Sequence, residues 1–273
     1  MDALDAELTA QVEASFAGAA DPRFAEIMRS LVRHLHAFLA DVSLTEDEWA
    51  AAIDFLTRTG QKCDDRRQEF ILLSDVLGAS MAVININHPT EGVATESTVL
   101  GPFFVDGAPE FDSGADISGG AAGERCFVSG TVLGPDGSPV PDATIDIWQS
   151  DEAGNYDVQY PDLDGPQARG RIRTDPRGRY AFWSVHPRAY PIPHDGPVGE
   201  LLGAANRGPM RPAHIHFRIV APGYRTLITH IFAAGDEHLD SDAVFGVKDS
   251  LVVEFTRAGN YAATFDFTLD RAE

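Results

Sequence analysis

A mainly β chain is the architecture the sequence predicts, with an α-helical N-terminal domain over residues 1–95 and a β-sandwich over residues 96–273. Three observations carry this reading. Up to about residue 88 the apolar residues recur at the 3.6-residue period of a helix. After His88-Pro89 the period switches to strand-like alternation, and Gly and Pro punctuate the chain. The length of 273 residues is enough to bury a sizeable core without a disulfide framework.

The helices come first. Asp21-Pro22 reads as an N-cap followed by Pro at the first helical position, ahead of Phe24, Ile27, Met28, Leu31, Leu35, Phe38 and Leu39. Ser43-Leu-Thr-Glu46 reads as a capping box opening a second helix that carries Trp49, Ile53 and Leu56 on one side and stops near Gly60. A third helix is predicted over about 64–86, with Phe70, Leu73, Leu77 and Met81 on its apolar face. The segment is too thin to close a core of its own, so these faces are expected to dock on the rest of the chain or on a second subunit.

The strands follow. Residues 127–133, 143–148, 170–174, 179–184, 214–220, 227–232 and 251–255 are short β-rich runs separated by turn residues. Gly134-Pro-Asp-Gly137 is a turn in which Pro presets φ and Gly supplies a positive φ. The connections 151–169 and 186–210 read as long loops, and long loops in a compact domain are usually functional.

Composition narrows the function. Lys plus Arg total 21 and Asp plus Glu total 42, giving a net charge of −21. That excess argues against nucleic acid and against an anionic membrane as partners, because both require basic patches. No apolar run reaches the roughly 20 residues of a membrane helix, and the acidic N-terminus lacks the features of a signal peptide. Cys63 and Cys126 lie far apart, which fits a reducing cytoplasm and disfavours a thiolate metal site.

The sharpest local feature is Arg211-Pro-Ala-His-Ile-His216. In a strand, residues i and i+2 share a face, so His214 and His216 would present two imidazoles together, a natural grip on a metal. On pattern alone a pair of polar residues on a solvated face remains an alternative. His194 and His230 are open as third ligands, and a tyrosine phenolate from Tyr156 or Tyr190 would suit a trivalent cation.

The order Gly154-Asn-Tyr156, Ala189-Tyr190-Pro191 and Arg211-Pro-Ala-His214-Ile-His216 resembles the intradiol ring-cleaving dioxygenases, as do residues 101–104 (GPFF), 128–156 and 171–185. The similarity is strong over about 95–260; the preceding helices match the family in layout more than in motif.

The resemblance implies that the β-sandwich is the catalytic domain, holding one Fe(3+) per subunit. Tyr156 and His214 would be equatorial ligands, Tyr190 and His216 axial ones. Tyr190, which takes up a substrate proton, and Arg211, which stabilises negative charge on the substrate, would be catalytic. The implied partners are a catecholic small molecule and O2, a second subunit packed through the N-terminal helices as a homodimer, and a phospholipid bound at that interface.

Within the family, residues 190–202 and 240–253 are most similar to the enzymes that cleave hydroxyquinol (benzene-1,2,4-triol) in aromatic compound degradation. Their product is 3-hydroxy-cis,cis-muconate or maleylacetate. His230 stands where catechol enzymes carry Gln and would lie just behind the ligands. The substrate pocket is expected from Leu72, Asp75, Val99, Leu100, Gly101, Pro102, Phe103, Ile192, Pro193, Arg211 and Val244, with Asp75 accepting a hydrogen bond from the third hydroxyl. Catechol or chlorocatechol is the alternative substrate. A non-catalytic β-sandwich binding module is the alternative from another class.

Overall fold

The computed structural model describes residues 3–64, 67–89 and 92–272. Its contacts form two compact units, Met1–Arg58 and Thr59–Glu273.

The first unit holds α1 (Ala3–Ser15), α2 (Pro22–Asp41) and most of α3 (Glu46–Gln61). As predicted, Asp21 caps α2 by accepting from the Arg23 N–H, and Pro22 follows it. The capping box of α3 sits two residues later than the sequence suggests. Thr45 Oγ1 accepts from the Glu48 N–H while the Glu48 carboxylate accepts from the Thr45 N–H, so Thr45, not Ser43, is the cap. Ser43 instead adopts a positive φ of 50° in the preceding turn. Phe24, Ile27, Leu31, Leu35 and Phe38 of α2 form an exposed apolar stripe.

The second unit begins with the predicted third helix, which is two helices: α4 (Glu69–Val76) and α5 (Ala79–Asn87). Residues 65 and 66 of the predicted span lie outside the described residues. Gly78, at φ 71°, breaks the helix, and the two pieces meet at 76°. Contacts thus group α4 and α5 with the β unit, short of the 95/96 boundary read from the sequence. Among the described residues no single helix is long and apolar enough to cross a membrane.

Two five-stranded sheets follow. In the first, β1 (Arg125–Leu133) lies between antiparallel β4 (Arg179–Val185) and the parallel pair β11 (Asn260–Thr264) and β12 (Phe267–Thr268), with β10 (Thr256–Ala258) at the edge. The second has the order β3 (Arg169–Arg173), β2 (Thr144–Trp148), β7 (His214–Val220), β8 (Leu227–Ala233), β9 (Val252–Val253). Val128, Val132 and Phe182 of the first sheet meet Ile145, Ile147, Ile215, Phe217 and Ile219 of the second in one buried core.

Several local expectations are corrected. The strand predicted at 251–255 is a 3-10 turn (Asp249–Leu251) followed by the two residues of β9. The segment 186–210 is not all loop: it contains β5 (Tyr190–Pro191) and α6 (Pro197–Ala204), and its end pairs β5 with β6 (Met210–Arg211). α6 is anchored at its N-terminus by the fully buried Glu69, whose carboxylate accepts from the Val198 N–H at 3.1 Å.

The second sheet uses its two faces differently. Alternation in HIHFRIV sends Ile215, Phe217 and Ile219 into the core, so His214 and His216 project from the opposite face. Register places Trp148 of β2 and His230 of β8 on either side of His216. This outer face is buried under loops, not solvated.

Candidate functional site

Four donor groups converge on that face. Tyr156 comes from the 151–160 loop, Tyr190 from β5, and His214 and His216 from β7. Tyr156 Oη lies 3.2 Å from Tyr190 Oη, 3.3 Å from His214 Nε2 and 2.9 Å from His216 Nε2. His214 Nε2 is 3.1 Å from His216 Nε2 and 3.5 Å from Tyr190 Oη. All four side chains are buried.

Neighbours fix each donor. The Tyr156 N–H donates to Gln159 Oε1, and the Tyr156 ring stacks on Phe103 with centroids 4.5 Å apart. Asp157, the next residue, forms a buried ion pair with Arg169, whose Nη2 also donates to the Phe103 carbonyl at 2.8 Å. The His216 ring stacks on Trp148 at 4.7 Å. His214 Nδ1 lies 2.7 Å from the Pro212 carbonyl, which can only accept. The proton is therefore on Nδ1, and Nε2 presents a bare lone pair to the cluster. Tyr190 is held by the β5–β6 pairing, where it faces Arg211 in register.

The electrostatics keep the cluster uncharged. Burial pushes the phenols of Tyr156 and Tyr190 above their ordinary value, against the pull of Arg211. Burial, then Arg211, pushes the His214 imidazole down to about 3, and burial holds His216 and His230 well below the usual range. Two neutral imidazoles and two phenols on one point form a donor set suited to a hard or borderline cation, whose charge would convert the phenols to phenolates. His216 Nδ1 and His230 Nε2 are buried without a hydrogen-bond partner. The residues present therefore suit a bound metal. His230 also lies within metal-ligand distance of the two histidines, the three ligating nitrogens falling within 4.8 Å of one another. Its Nδ1 is hydrogen-bonded to Thr98 Oγ1. His194, the other histidine left open by the sequence, instead has Nδ1 3.0 Å from the Ile192 carbonyl.

Arg211 is the buried cation of the site. Its Nε and Nη2 donate to the two oxygens of Asp242 at 3.1 and 3.4 Å, and Nη1 lies 3.2 Å from His214 Nε2. The Asp242 carboxylate also accepts from the Gly246 and Val244 N–H groups, and Arg211 helps to hold it below the usual carboxylate range against burial.

A cavity of about 670 Å³ is lined by Leu72, Asp75, Pro102, Phe103 and Pro193 from the expected pocket set. Arg67, Gln68, Ile71, Val105, Val158, Gln159, Tyr160 and Pro161 line it too and were not anticipated. Ile71, Leu72 and Asp75 share one face of α4, with the N-cap Gln68 at its start, so helical spacing from Asp75 could have found Gln68 and Ile71. Val99, Leu100, Gly101, Ile192, Arg211 and Val244, also expected there, are not among the lining residues; Leu100 is partly exposed, while Val99, Ile192, Arg211 and Val244 are buried. Burial pushes the Asp75 carboxyl up, opposed by the Ser80 hydroxyl and the charge of Arg211. Asp242 was missed altogether, since it lies 31 residues from the arginine it holds.

Two family models match the chain, "Catechol dioxygenase N terminus" over residues 21–95 and "Dioxygenase" over residues 99–271. The chain belongs to the intradiol dioxygenase family. A hydroxyquinol 1,2-dioxygenase of Nocardioides simplex is 58% identical over 255 residues, covering 93% of this chain and 87% of the relative. A 6-chlorohydroxyquinol 1,2-dioxygenase of Cupriavidus pinatubonensis is 54% identical, with 96% of each chain covered. Among solved structures, hydroxyquinol 1,2-dioxygenase from Pseudomonas putida DLL-E4 matches with a TM-score of 0.94 at 47% identity over 99% of both chains. Catechol 1,2-dioxygenase from Pseudomonas arvilla C-1 matches with a TM-score of 0.83 at 29% identity, over 98% of this chain and 93% of that one. The intradiol dioxygenases are iron-dependent enzymes, in keeping with the buried nitrogen and oxygen donors described above.

Proposed function

We propose that this chain cleaves hydroxyquinol between its two adjacent hydroxyl-bearing carbons, using one iron(III) held by Tyr156, Tyr190, His214 and His216. Both atoms of O2 enter the product, 3-hydroxy-cis,cis-muconate, which tautomerises to maleylacetate. The observation that carries this reading is the convergence of two phenols and two imidazoles, 2.9–3.5 Å apart, beside one buried guanidinium. The similarity to relatives named for hydroxyquinol supports the substrate.

When bound, iron(III) supplies Lewis acidity that draws electron density from a catecholate. The protein's own groups do the rest. His214 is locked as the Nδ1–H tautomer by the Pro212 carbonyl. Tyr190 accepts a substrate proton at Oη. Arg211 places a fixed positive charge where negative charge develops on the substrate, and Asp242 prevents that guanidinium from turning away. Phe103, Leu72 and Pro193 offer apolar walls to the ring. His230, held by Thr98, packs against His216 from behind with ring centroids 4.0 Å apart. Asp75 bonds the third hydroxyl, which a catechol lacks; a site that pairs a substrate hydroxyl rejects analogues without it.

The helices have two roles in this reading. α4 lends Leu72 and Asp75 to the pocket, and the apolar stripe of α2 packs on a second copy to give a homodimer with phospholipid in the interface. The free thiols of Cys63 and Cys126 support a cytoplasmic location.

Oxygen uptake by the iron-loaded protein tests the substrate. Hydroxyquinol should be consumed in preference to catechol, and Asp75→Val should lower kcat/KM for hydroxyquinol by about tenfold to a hundredfold. Unchanged kinetics on both substrates would remove Asp75 from the account.

A further inference from the structure

The helix that carries Asp75 and the segment that holds Arg211 are joined by a residue that lines neither the donor cluster nor the cavity. Arg207 lies between α6 and β6. Its Nη1 donates to the Val76 carbonyl at 2.6 Å and its Nη2 to the Ala243 carbonyl at 3.1 Å. Val76 is the last residue of α4, the helix that carries Asp75. Ala243 sits between Asp242, which holds Arg211, and Val244. One rigid guanidinium thus links the helix that carries Asp75 to the segment that holds Arg211.

The surroundings show a built latch. The break at Gly78 frees carbonyls at the end of α4, and Arg207 takes one of them while placing a cation at the helix C-terminus. The guanidinium also stacks on the Phe245 ring at 4.7 Å. Phe245 has a φ of 58°, a region unfavourable to a bulky side chain. Its ring packs beside Gly78, where an added Cβ would meet it in ordinary contact at 3.6 Å. Helix break, strained aromatic and arginine pack on one another, and the strain is sustained where the Asp75 helix meets the Asp242 segment.

We infer that Arg207 is a specificity-positioning residue: by bridging the Val76 and Ala243 carbonyls it sets the separation of Asp75 from Arg211, and so selects a catecholic ring with a further hydroxyl at its far end. A ligand that engages only the donor cluster and Arg211 does not need that separation held; one that must reach Asp75 as well does. This rests on the reading of Asp75 as the anchor of the third hydroxyl.

The test measures KM and kcat for hydroxyquinol, and the binding of catechol as substrate or competitive inhibitor, in iron-loaded wild type, Arg207→Met, Arg207→Lys and Asp75→Val. Melting temperatures of the metal-free forms serve as control. Arg207→Met should raise KM for hydroxyquinol about tenfold, with kcat and catechol binding changed less than about threefold. Arg207→Lys, which retains a donor on the same stem, should fall between the two. Equal losses for both ligands, or no loss for either, would overturn the inference. If Asp75→Val changes hydroxyquinol kinetics and Arg207→Met does not, the inference alone fails. If Asp75→Val is inert, the reading of Asp75 fails and the inference with it. Should Arg207→Met not fold, the Arg207→Lys comparison decides by the same ratio.

Discussion

At the level of single residues the site is organised around Arg211, which lies between the Asp242 carboxylate and the bare Nε2 of His214. Breaking a buried pair from one side leaves an uncompensated charge. Asp242→Asn should therefore destabilise the protein by about 3–5 kcal/mol in urea unfolding and lower kcat at least about tenfold. An unchanged kcat would show that Arg211 keeps its place without Asp242. The histidines give a pH signature. In metal-free protein His214 is pushed down to about 3, and His216 and His230 lie well below the ordinary value, so all three are neutral when folded. Once unfolded they titrate near 6.5, so below that pH the unfolded chain binds more protons. Their contribution is intact above about pH 6.5 and is lost as pH falls, approaching about 1.4 kcal/mol per ring per pH unit. The urea midpoint of chelated protein should fall between pH 6.5 and 5.5, and His230→Asn should reduce the slope. A flat midpoint would mean that these rings are not kept neutral by the fold.

At the level of elements, short pieces of chain with little periodic signal place the decisive side chains. Tyr190 and Arg211 face each other across β5 and β6, two residues each. Gly154, at φ 79°, packs so closely on this hairpin that an added Cβ would lie 2.7 Å from Tyr190 Cβ. Gly154→Ala should therefore cost at least about 1–2 kcal/mol from its backbone conformation alone. With Tyr190 holding iron as proposed, it should also shift the tyrosinate-to-iron charge-transfer band in the visible spectrum; an unmoved band would contradict the close fit. These contacts explain what the sequence could and could not show. The face of HIHFRIV carrying His214 and His216 was legible because alternation is local. Strands β1–β4, β7 and β8 were legible for the same reason, whereas β11 and β12, which give Ala263 and Phe267 to the core, were not read. α6 escaped notice inside a stretch marked by Pro and Gly, and β5 and β6 are too short to have a period. The break at Gly78 escaped because a single glycine does not interrupt an apolar helical pattern. Asp242 and Arg207 escaped because their partners are tertiary. Tyr156 and Tyr190 were singled out as proposed ligands by resemblance, not by any property of isolated Gly-Asn-Tyr or Ala-Tyr-Pro segments.

At the level of the whole molecule, a chain of net charge −21 is proposed to bind its substrate as an anion. Long-range steering would oppose the encounter, so attraction must be local, from Arg211 and the metal, and the association rate should rise with ionic strength as the repulsion is screened. The α2 stripe of Phe24, Ile27, Leu31, Leu35 and Phe38 is expected to be buried by a second copy. Leu31→Glu should convert a dimer to a monomer by light scattering, and solvent extraction of the wild type should release phospholipid detectable by mass spectrometry. A monomeric wild type would remove the proposed interface. The most direct test of the central claim is oxygen uptake by iron-loaded protein given hydroxyquinol, with the product identified. The account predicts one O2 consumed per hydroxyquinol, both oxygen atoms appearing in 3-hydroxy-cis,cis-muconate or maleylacetate, and catechol used far more slowly. No uptake with hydroxyquinol by iron-replete protein, or a product cleaved outside the two adjacent hydroxyl carbons, would contradict it.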